Sequence, residues 1–260
     1  MLLLISSLLL MSCGADKYMK KGEKFLALGE YYDAADQFKQ AYTRTPAKER
    51  DTRGKRALKM AQCYQRINAT PKAIAAYRNA IRYNQASKED QLAYARLLLK
   101  NGDYRQAEKV FMMLKDSMPG NQLVANGLKS AQMAPEWKKQ GSRYIVKRMD
   151  VFNSRRHDYS PVLFGDDYDQ LYFTSTRNEA LGDELSGITG TKAGDIFLSE
   201  KDDRGKWSKP EAIGTGLNTE YDEGACCFTP DGREMYLTQC VTDPSSPRYA
   251  QIATSPRSDA

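Results

Sequence analysis

The residues of this 260-residue chain that could do chemistry are few: five cysteines, a single histidine and scattered carboxylates. Three of the cysteines, Cys226, Cys227 and Cys240, sit in the stretch "CCFTPDGREMYLTQC". A thiolate metal site needs about four sulfur or nitrogen ligands at short, regular spacing. No cysteine pair here has that spacing, and His157 brings no second imidazole. In a strand, Cys226 and Cys227 point to opposite faces, so at most one could reach Cys240 in a disulfide. Small buried thiols are the reading we favour for them. His157 lies in "RRHDYS" beside Asp158 and Ser160, but neighbours along a strand face different sides and do not assemble a triad. Asp166, Asp167 and Asp169 could meet a cation, yet they lack the spacing of a calcium loop and read as a solvated turn. Neither a Gly-x-Ser-x-Gly elbow nor a phosphate loop occurs. The expectation is a binding protein rather than an enzyme, with no catalytic residue, no metal site and no cofactor.

The elements that carry these residues change character along the chain. Beyond "APEWKKQGSRYIVKRM" helical periodicity gives way to short β-rich runs: "YIVKRM", "SPVLF", "QLYFTST", "DIFLSE", "GACCF", "EMYLTQ" and "YAQIAT". Turns between them carry Gly, Asp, Asn or Pro. "DYSPVLFGDDYDQLYFTSTR" and "EYDEGACCFTPDGREMYLTQC" read as copies, with Tyr159 matching Tyr221 and Tyr172 matching Tyr236. Each is a strand, an acidic turn and a second strand. "DIFLSE", followed by a Trp-Ser-x-Pro segment, completes the first copy, and "YAQIAT" begins to complete the second. A repeat of about 60 residues with four strands is a propeller blade. The turn Pro230-Asp231-Gly232 before "EMYLT" resembles the blades of TolB-like, WD-type β-propellers. The chain supplies about one and two-thirds blades where closure needs about four, so the expectation is a piece of a longer protein.

The first half repeats differently. "GEYYDAADQFKQAYTRTP", "NATPKAIAAYRNAIRYNQ" and "GDYRQAEKVFMMLKDSMP" align from Gly29, Asn68 and Gly102. Each places an Ala, an aromatic and a further apolar residue at fixed steps: Ala34, Phe38 and Ala41; Ala73, Tyr77 and Ala80; Ala107, Phe111 and Leu114. The turn residue can take the positive φ that ends one helix. The small Ala allows close approach of a second helix, the aromatic fills the gap to the next unit, and Pro46 and Pro119 stop the helix. These segments resemble tetratricopeptide repeats, helix–turn–helix units of about 34 residues, over residues 15–121. Residues 122–133 read as a capping helix. In that family the first helix of each unit lines a concave face that binds peptides or domains. The resemblance puts Lys55, Leu58, Gln62 and Arg66 there from one unit, and Glu89, Leu92, Arg96 and Lys100 from the next. Lys55, Arg66, Arg96 and Lys100 are the contacts it implies for an acidic partner, although ordinary solvated helix positions look the same in sequence. Residues 15–150 carry 28 Lys+Arg against 14 Asp+Glu, and residues 151–260 carry 11 against 19. That asymmetry supports two domains with different surfaces. Nothing has the aromatic-plus-Gly pattern of a nucleic-acid module.

The chain opens "MLLLISSLLLMSC", with an apolar run of about ten residues, too short for a membrane span of roughly 20 and suited to a secretory signal. Leu10-Met11-Ser12-Cys13 resembles a bacterial lipobox, which implies cleavage before Cys13 and acylation of its sulfur and new amine. A plain secretory signal or a buried cysteine are the other readings of Cys13. The expected domains are a signal peptide over 1–12, tetratricopeptide repeats over 15–133, a linker and first strand over 134–150, and a partial propeller over 151–260. The fold class is thus α and β in separate domains, an α-solenoid followed by about two blades. This order resembles the OmpA-family cell-envelope lipoproteins of Bacteroidetes, including the PorE-like component of type IX secretion. The resemblance implies an outer-membrane, periplasm-facing scaffold that binds other envelope or secretion proteins. Peptidoglycan would be met only through an OmpA-like domain these residues do not contain. A propeller-gated peptidase of the prolyl-oligopeptidase type and a nutrient-uptake lipoprotein are the alternatives.

Overall fold

The computed structural model describes residues 2–182, 185–214, 216–241 and 249–257; the side chains of residues 2–13, 241 and 249 lie outside the description. The chain divides into two compact units, Met1–Ile145 and Val146–Ala260.

The first unit is seven helices: α1 (Leu2–Ala27), α2 (Tyr31–Arg44), α3 (Arg50–Arg66), α4 (Thr70–Arg82), α5 (Lys88–Lys100), α6 (Tyr104–Ser117) and α7 (Gln122–Gln140). They pack in sequence as hairpins, α1 on α2, α3 on α4 and α5 on α6, with α7 closing the stack against α6. The turn residues behave as their types demand: φ is +77° at Gly29, +60° at Asn68 and +83° at Gly102. All nine residues of the three aligned triplets are buried, and Phe38, Tyr77 and Phe111 are among the largest enclosed side chains. Small residues make room for them. A Cβ on Gly22 would come 2.6 Å from the Phe38 ring, and one on Gly127 would come 2.3 Å from Phe111. α2 and α6 end two residues before Pro46 and Pro119, where proline would remove a hydrogen bond. Charge enters this core once. Arg56, 6 % exposed, donates to the Ala41 carbonyl at 3.2 Å, to Thr45 Oγ1 and to the Asp16 carboxylate.

The stretch expected as a linker and first strand folds otherwise. α7 continues through Pro135 to Gln140, with residues 135–140 exposed and the Ala131 carbonyl left without the N–H that proline lacks. Residues 144–149 form no strand. Tyr144, Ile145 and Val146 are 83, 86 and 92 % exposed. β-branched and aromatic residues favour strands only where an edge and a half-buried face receive them.

Among the described residues, the second unit holds two antiparallel meanders. The first runs β1 (Asp158–Phe164), β2 (Gln170–Ser175), β3 (Asp195–Glu200) and β4 (Glu211–Ala212) in spatial order, and the second runs β5 (Glu223–Phe228), β6 (Glu234–Val241) and β7 (Tyr249–Pro256). β4, two residues long, went unseen in the sequence. The meanders are copies, but not in the register expected. Tyr172 does match Tyr236: Val162 faces Tyr172 across one ladder as Cys227 faces Tyr236 across the other. Asp158 faces Ser175 as Glu223 faces Gln239, and Tyr159 faces Thr174 as Gly224 faces Thr238. Tyr159 therefore corresponds to Gly224, not to Tyr221. Both first strands carry a bulge at the same place, with Ser160 and Ala225 at φ +51° and +45°. A bulge adds a residue that a count of side chains does not reveal. The leading carboxylates match too. Asp158 accepts the Ser154 N–H at 2.7 Å and hydroxyl, as Glu223 accepts the Thr219 N–H at 2.7 Å and hydroxyl.

Sheet packs on sheet through β5. Ile196, Cys226, Met235 and Leu237 enclose one cluster between them, while Leu171, Phe173 and Phe197 form another on the far face of the first sheet, covered by Phe152 and Trp207. Backbone polar groups stitch the seam: Glu223 N–H to Gly194 O at 2.7 Å, Ala225 N–H to Thr174 Oγ1 at 2.9 Å, and Asn218, 1 % exposed, bonded to both the N–H and the carbonyl of Ile196. Among the described residues, three ionisable side chains are enclosed here, Glu223, Arg177 and Asp195. Arg177 lies over the rings of Phe173 and Phe197 and pairs with Asp158 at 2.9 Å. Burial alone would raise the Asp158 carboxyl, but hydrogen bonds from Ser175, the Ser154 N–H and Arg177 hold it below the ordinary range. Asp195 is 0 % exposed. Its Oδ2 accepts the Leu181 N–H at 2.7 Å and its Oδ1 has no hydrogen-bond partner. Burial pushes this carboxyl up to about 6, helped by the Glu223 and Asp222 carboxylates and opposed by the Leu181 N–H and Lys192.

Candidate partner-binding face

Successive hairpins set the first helices, α1, α3 and α5, side by side, and polar rungs join them. Lys59 meets Glu23 at 3.2 Å, and the Gln62 amide donates to Asp90 Oδ1 at 3.1 Å. Lys100 donates to the side chain of Asn68, tying α5 to the turn of the preceding unit. Arg66 lies over the Tyr31 ring, 5.8 Å from its centroid. Helix geometry puts Lys55, Gln62 and Arg66 on one stripe of α3, since steps of seven and eleven residues return to nearly the same angle.

The four cations expected as partner contacts are all exposed, and they divide in two. Arg66 and Lys100 are engaged with Tyr31 and Asn68. Lys55 and Arg96 make no hydrogen bond or ion pair among the described residues. Leu92 is buried at 7 % exposure, while Leu58 is half-buried against the core. The face is therefore a polar ribbon with two unengaged cations, not an apolar slot. Sequence reasoning missed Tyr31 and Asp90, whose partners lie in neighbouring units. The signal available was position within the repeat: Gln62 and Asp90 belong to adjacent first helices, and Tyr31 opens the helix after the turn at Gly29.

The other chemistry-bearing residues fall out as follows. Cys63, Cys226, Cys227 and Cys240 are not joined in disulfides. The ladder places Cys227 opposite Tyr236 and lets the Cys240 N–H, four residues further along β6, reach the Asp222 carbonyl, so no disulfide spans this hairpin. Burial pushes the Cys63 and Cys226 thiols up to about 12 and about 11, which keeps them protonated and inert. Cys240 and the exposed Cys227 belong to the same sheet. His157 and Asp166, Asp167 and Asp169 are exposed, and no cluster of three metal-ligating side chains occurs among the described residues. Cys13 has its side chain outside the described residues. No helix among those residues is long and apolar enough to cross a membrane.

A family model described as "Tetratricopeptide repeat" matches residues 68–131. The helical unit is a solenoid of tetratricopeptide-like hairpins, with the family match falling on α4 to α7. No curated protein matches the chain. Among solved structures, the first repeat domain of Spaghetti (RPAP3), bound to the HSP90 peptide SRMEEVD, is 18 % identical with a TM-score of 0.39, and the match covers 48 % of this chain and 95 % of that one. The C-terminal repeat domain of an FK506-binding protein from Plasmodium falciparum is 14 % identical at 0.41, covering 50 and 94 %. The Sgt2 repeat domain from Aspergillus fumigatus is 19 % identical at 0.38, covering 52 and 88 %. The match takes in Arg96 and Lys100 on α5, while Lys55, Gln62 and Arg66 on α3 precede it.

Proposed function

We propose that this chain is a non-enzymatic scaffold which holds an acidic segment of a partner protein on the first-helix face of its tetratricopeptide repeats. The observation that carries the reading is the pair of unengaged cations, Lys55 and Arg96, on adjacent first helices, within a unit whose residues 15–150 hold twice as many basic as acidic side chains. Exposed cations steer association with an acidic partner, and salt weakens that attraction. The sheet unit is read as successive blades of a TolB-like propeller. Support comes from its two meanders of matching register, which share a bulge and a capped carboxylate and pack face to face. With the apolar leader and Cys13, this order fits a lipid-anchored, periplasm-facing protein of an outer-membrane secretion or peptidoglycan-linked assembly.

Two measurements test it. Affinity capture from a cell-envelope extract with the full chain should return a defined partner, and Lys55→Glu/Arg96→Glu together with about 0.5 M salt should each reduce its recovery. Recovery unchanged by both sinks the electrostatic reading of this face. Cys13→Ser should move the protein from the membrane to the soluble fraction; a variant that stays membrane-bound excludes the lipid anchor.

A further inference from the structure

A second surface of the helical unit lies away from the ribbon just described. Between α4 and α6, floored by α5, the chain leaves a groove of about 660 Å³. Ile81, Leu98, Val110 and the Tyr94 ring give it an apolar lining, with Gln91 beside them and Met113 exposed at the rim. Cations stand on both walls, Arg78 and Arg82 from α4 and Lys109 from α6. Arg82 contacts Asn79 and Tyr83 of its own helix end. Arg78 and Lys109 make no hydrogen bond or ion pair among the described residues. One carboxylate, Asp103, lines the groove and accepts the Asn101 amide at 2.8 Å.

The preceding interval of the solenoid shows why this groove is open. Counted from the turn residues Gly29, Asn68 and Gly102, Tyr42 occupies the position of Ile81, and Tyr64 occupies that of Leu98. Each of those tyrosines carries a cation on its ring, Arg53 on Tyr42 at 4.4 Å and Lys72 on Tyr64 at 5.7 Å. In the α4–α6 interval, aliphatic side chains replace both rings. Ser87 and Gln106 stand where Arg53 and Lys72 do; among the groove's cations Arg82 lies over its neighbour Tyr83 at 5.0 Å, while Arg78 and Lys109 are exposed.

We infer that the α4–α6 groove is a second docking site, for an acidic amphipathic helix of a partner protein. A helix laid in such a groove would seat apolar residues at i, i+4 and i+7 over Ile81, Leu98 and Met113, with carboxylates on its flanks toward Arg78, Arg82 and Lys109. Apolar insertion supplies the affinity, and the cations set orientation and on-rate.

The test uses the full chain and a fluorescein-labelled peptide of about 15 residues built from Glu, Leu and Ala, Leu at helical spacing and Glu on both flanks, read by fluorescence anisotropy. Arg78→Glu/Lys109→Glu should weaken binding about tenfold or more, since each reversal turns an attraction into a repulsion. Ile81→Tyr, which restores the side chain of the preceding interval, should weaken it similarly by filling the groove. Lys55→Glu/Arg96→Glu on the first-helix ribbon should change it less than about twofold. All these positions except Ile81 are exposed, so folding is preserved. If the ribbon pair weakens the peptide and the groove pair does not, the groove is not the site, whereas the first-helix reading gains. If the peptide fails to bind, or Ile81→Tyr leaves binding intact, the inference is overturned.

Discussion

Asp195 gives the sheet unit an acid-stabilised core, and Asp195→Asn should remove that dependence. The carboxyl is 0 % exposed, one oxygen is held by the Leu181 N–H and the other has no partner. With Glu223 and Asp222 near, burial pushes it up to about 6 from its ordinary 3.8. The sign follows. Below about pH 4 the group is protonated whether the chain is folded or not, and it contributes nothing. Between about 4 and 6 the unfolded chain ionises while the folded one resists, so folded stability falls as pH rises. Above about 6 the full penalty is present. The interval of about two pH units corresponds to about 3 kcal/mol. Asparagine keeps an oxygen for Leu181 and can aim its amide at the acidic neighbours. The variant should therefore equal the wild type near pH 4 and exceed it by up to about 3 kcal/mol at pH 7.5. The assay is urea unfolding from pH 4 to 8, followed by Trp207 fluorescence with Trp137→Phe in both proteins so that the signal reports the sheet unit. A difference that does not change across that range, or a variant less stable at pH 7.5, refutes the reasoning and means that Asp195 is stabilised as a carboxylate.

Arg177→Ala should destabilise the sheet unit by about 3–5 kcal/mol, because it strands the Asp158 carboxylate at a buried site; urea unfolding at pH 7 measures it. The contribution of that ion pair should also fade as pH drops through the lowered Asp158 value, opposite in sign to Asp195. Gly127→Ala should cost the helical unit about 1–3 kcal/mol by forcing a methyl into the Phe111 ring, despite a helix-propensity gain of about 1 kcal/mol. Its thermal shift should shrink when Phe111→Leu is added. Asn218→Ala should cost about 1–3 kcal/mol and speed hydrogen exchange at the Ile196 amide, which no other side chain holds.

The helical unit was legible because its signals are local. A turn residue, a small residue and an aromatic at fixed steps suffice to specify a hairpin and its neighbour, and all three copies are buried as their types require. Strands β1, β2, β3, β5, β6 and β7 could be found from their runs, but their register could not. The bulges at Ser160 and Ala225 shift the first strands against the second by a residue that no periodicity displays. Residues 144–149 misled for the converse reason: their propensity is real and no partner edge accepts it. Buried charge was also hidden, since Arg177 and Asp195 look like any solvated ionisable residue until the two sheets close over them. Of the candidate site, the helices and the stripe could be read. The engagement of Arg66 and Lys100, and the groove beside Ile81 and Leu98, depend on contacts between units.

The two faces of each meander are not alike, and their difference has a consequence for self-association. The first sheet receives its neighbour on Tyr172, Thr174 and Ile196, and the matching residues of the second sheet, Tyr236, Thr238 and Ile252, recur in the same register, with Ile252 78 % exposed. The second sheet gives Met235 and Leu237 to the seam, and their counterparts on the first, Leu171 and Phe173, lie on its far side. Every sheet thus has a giving face and a receiving face. Copies meeting through them would add head to tail, as links of a chain do, rather than close as a two-fold pair. Crowding this unit favours open-ended growth over a dimer, and a charge at Ile252 would be the direct way to stop it.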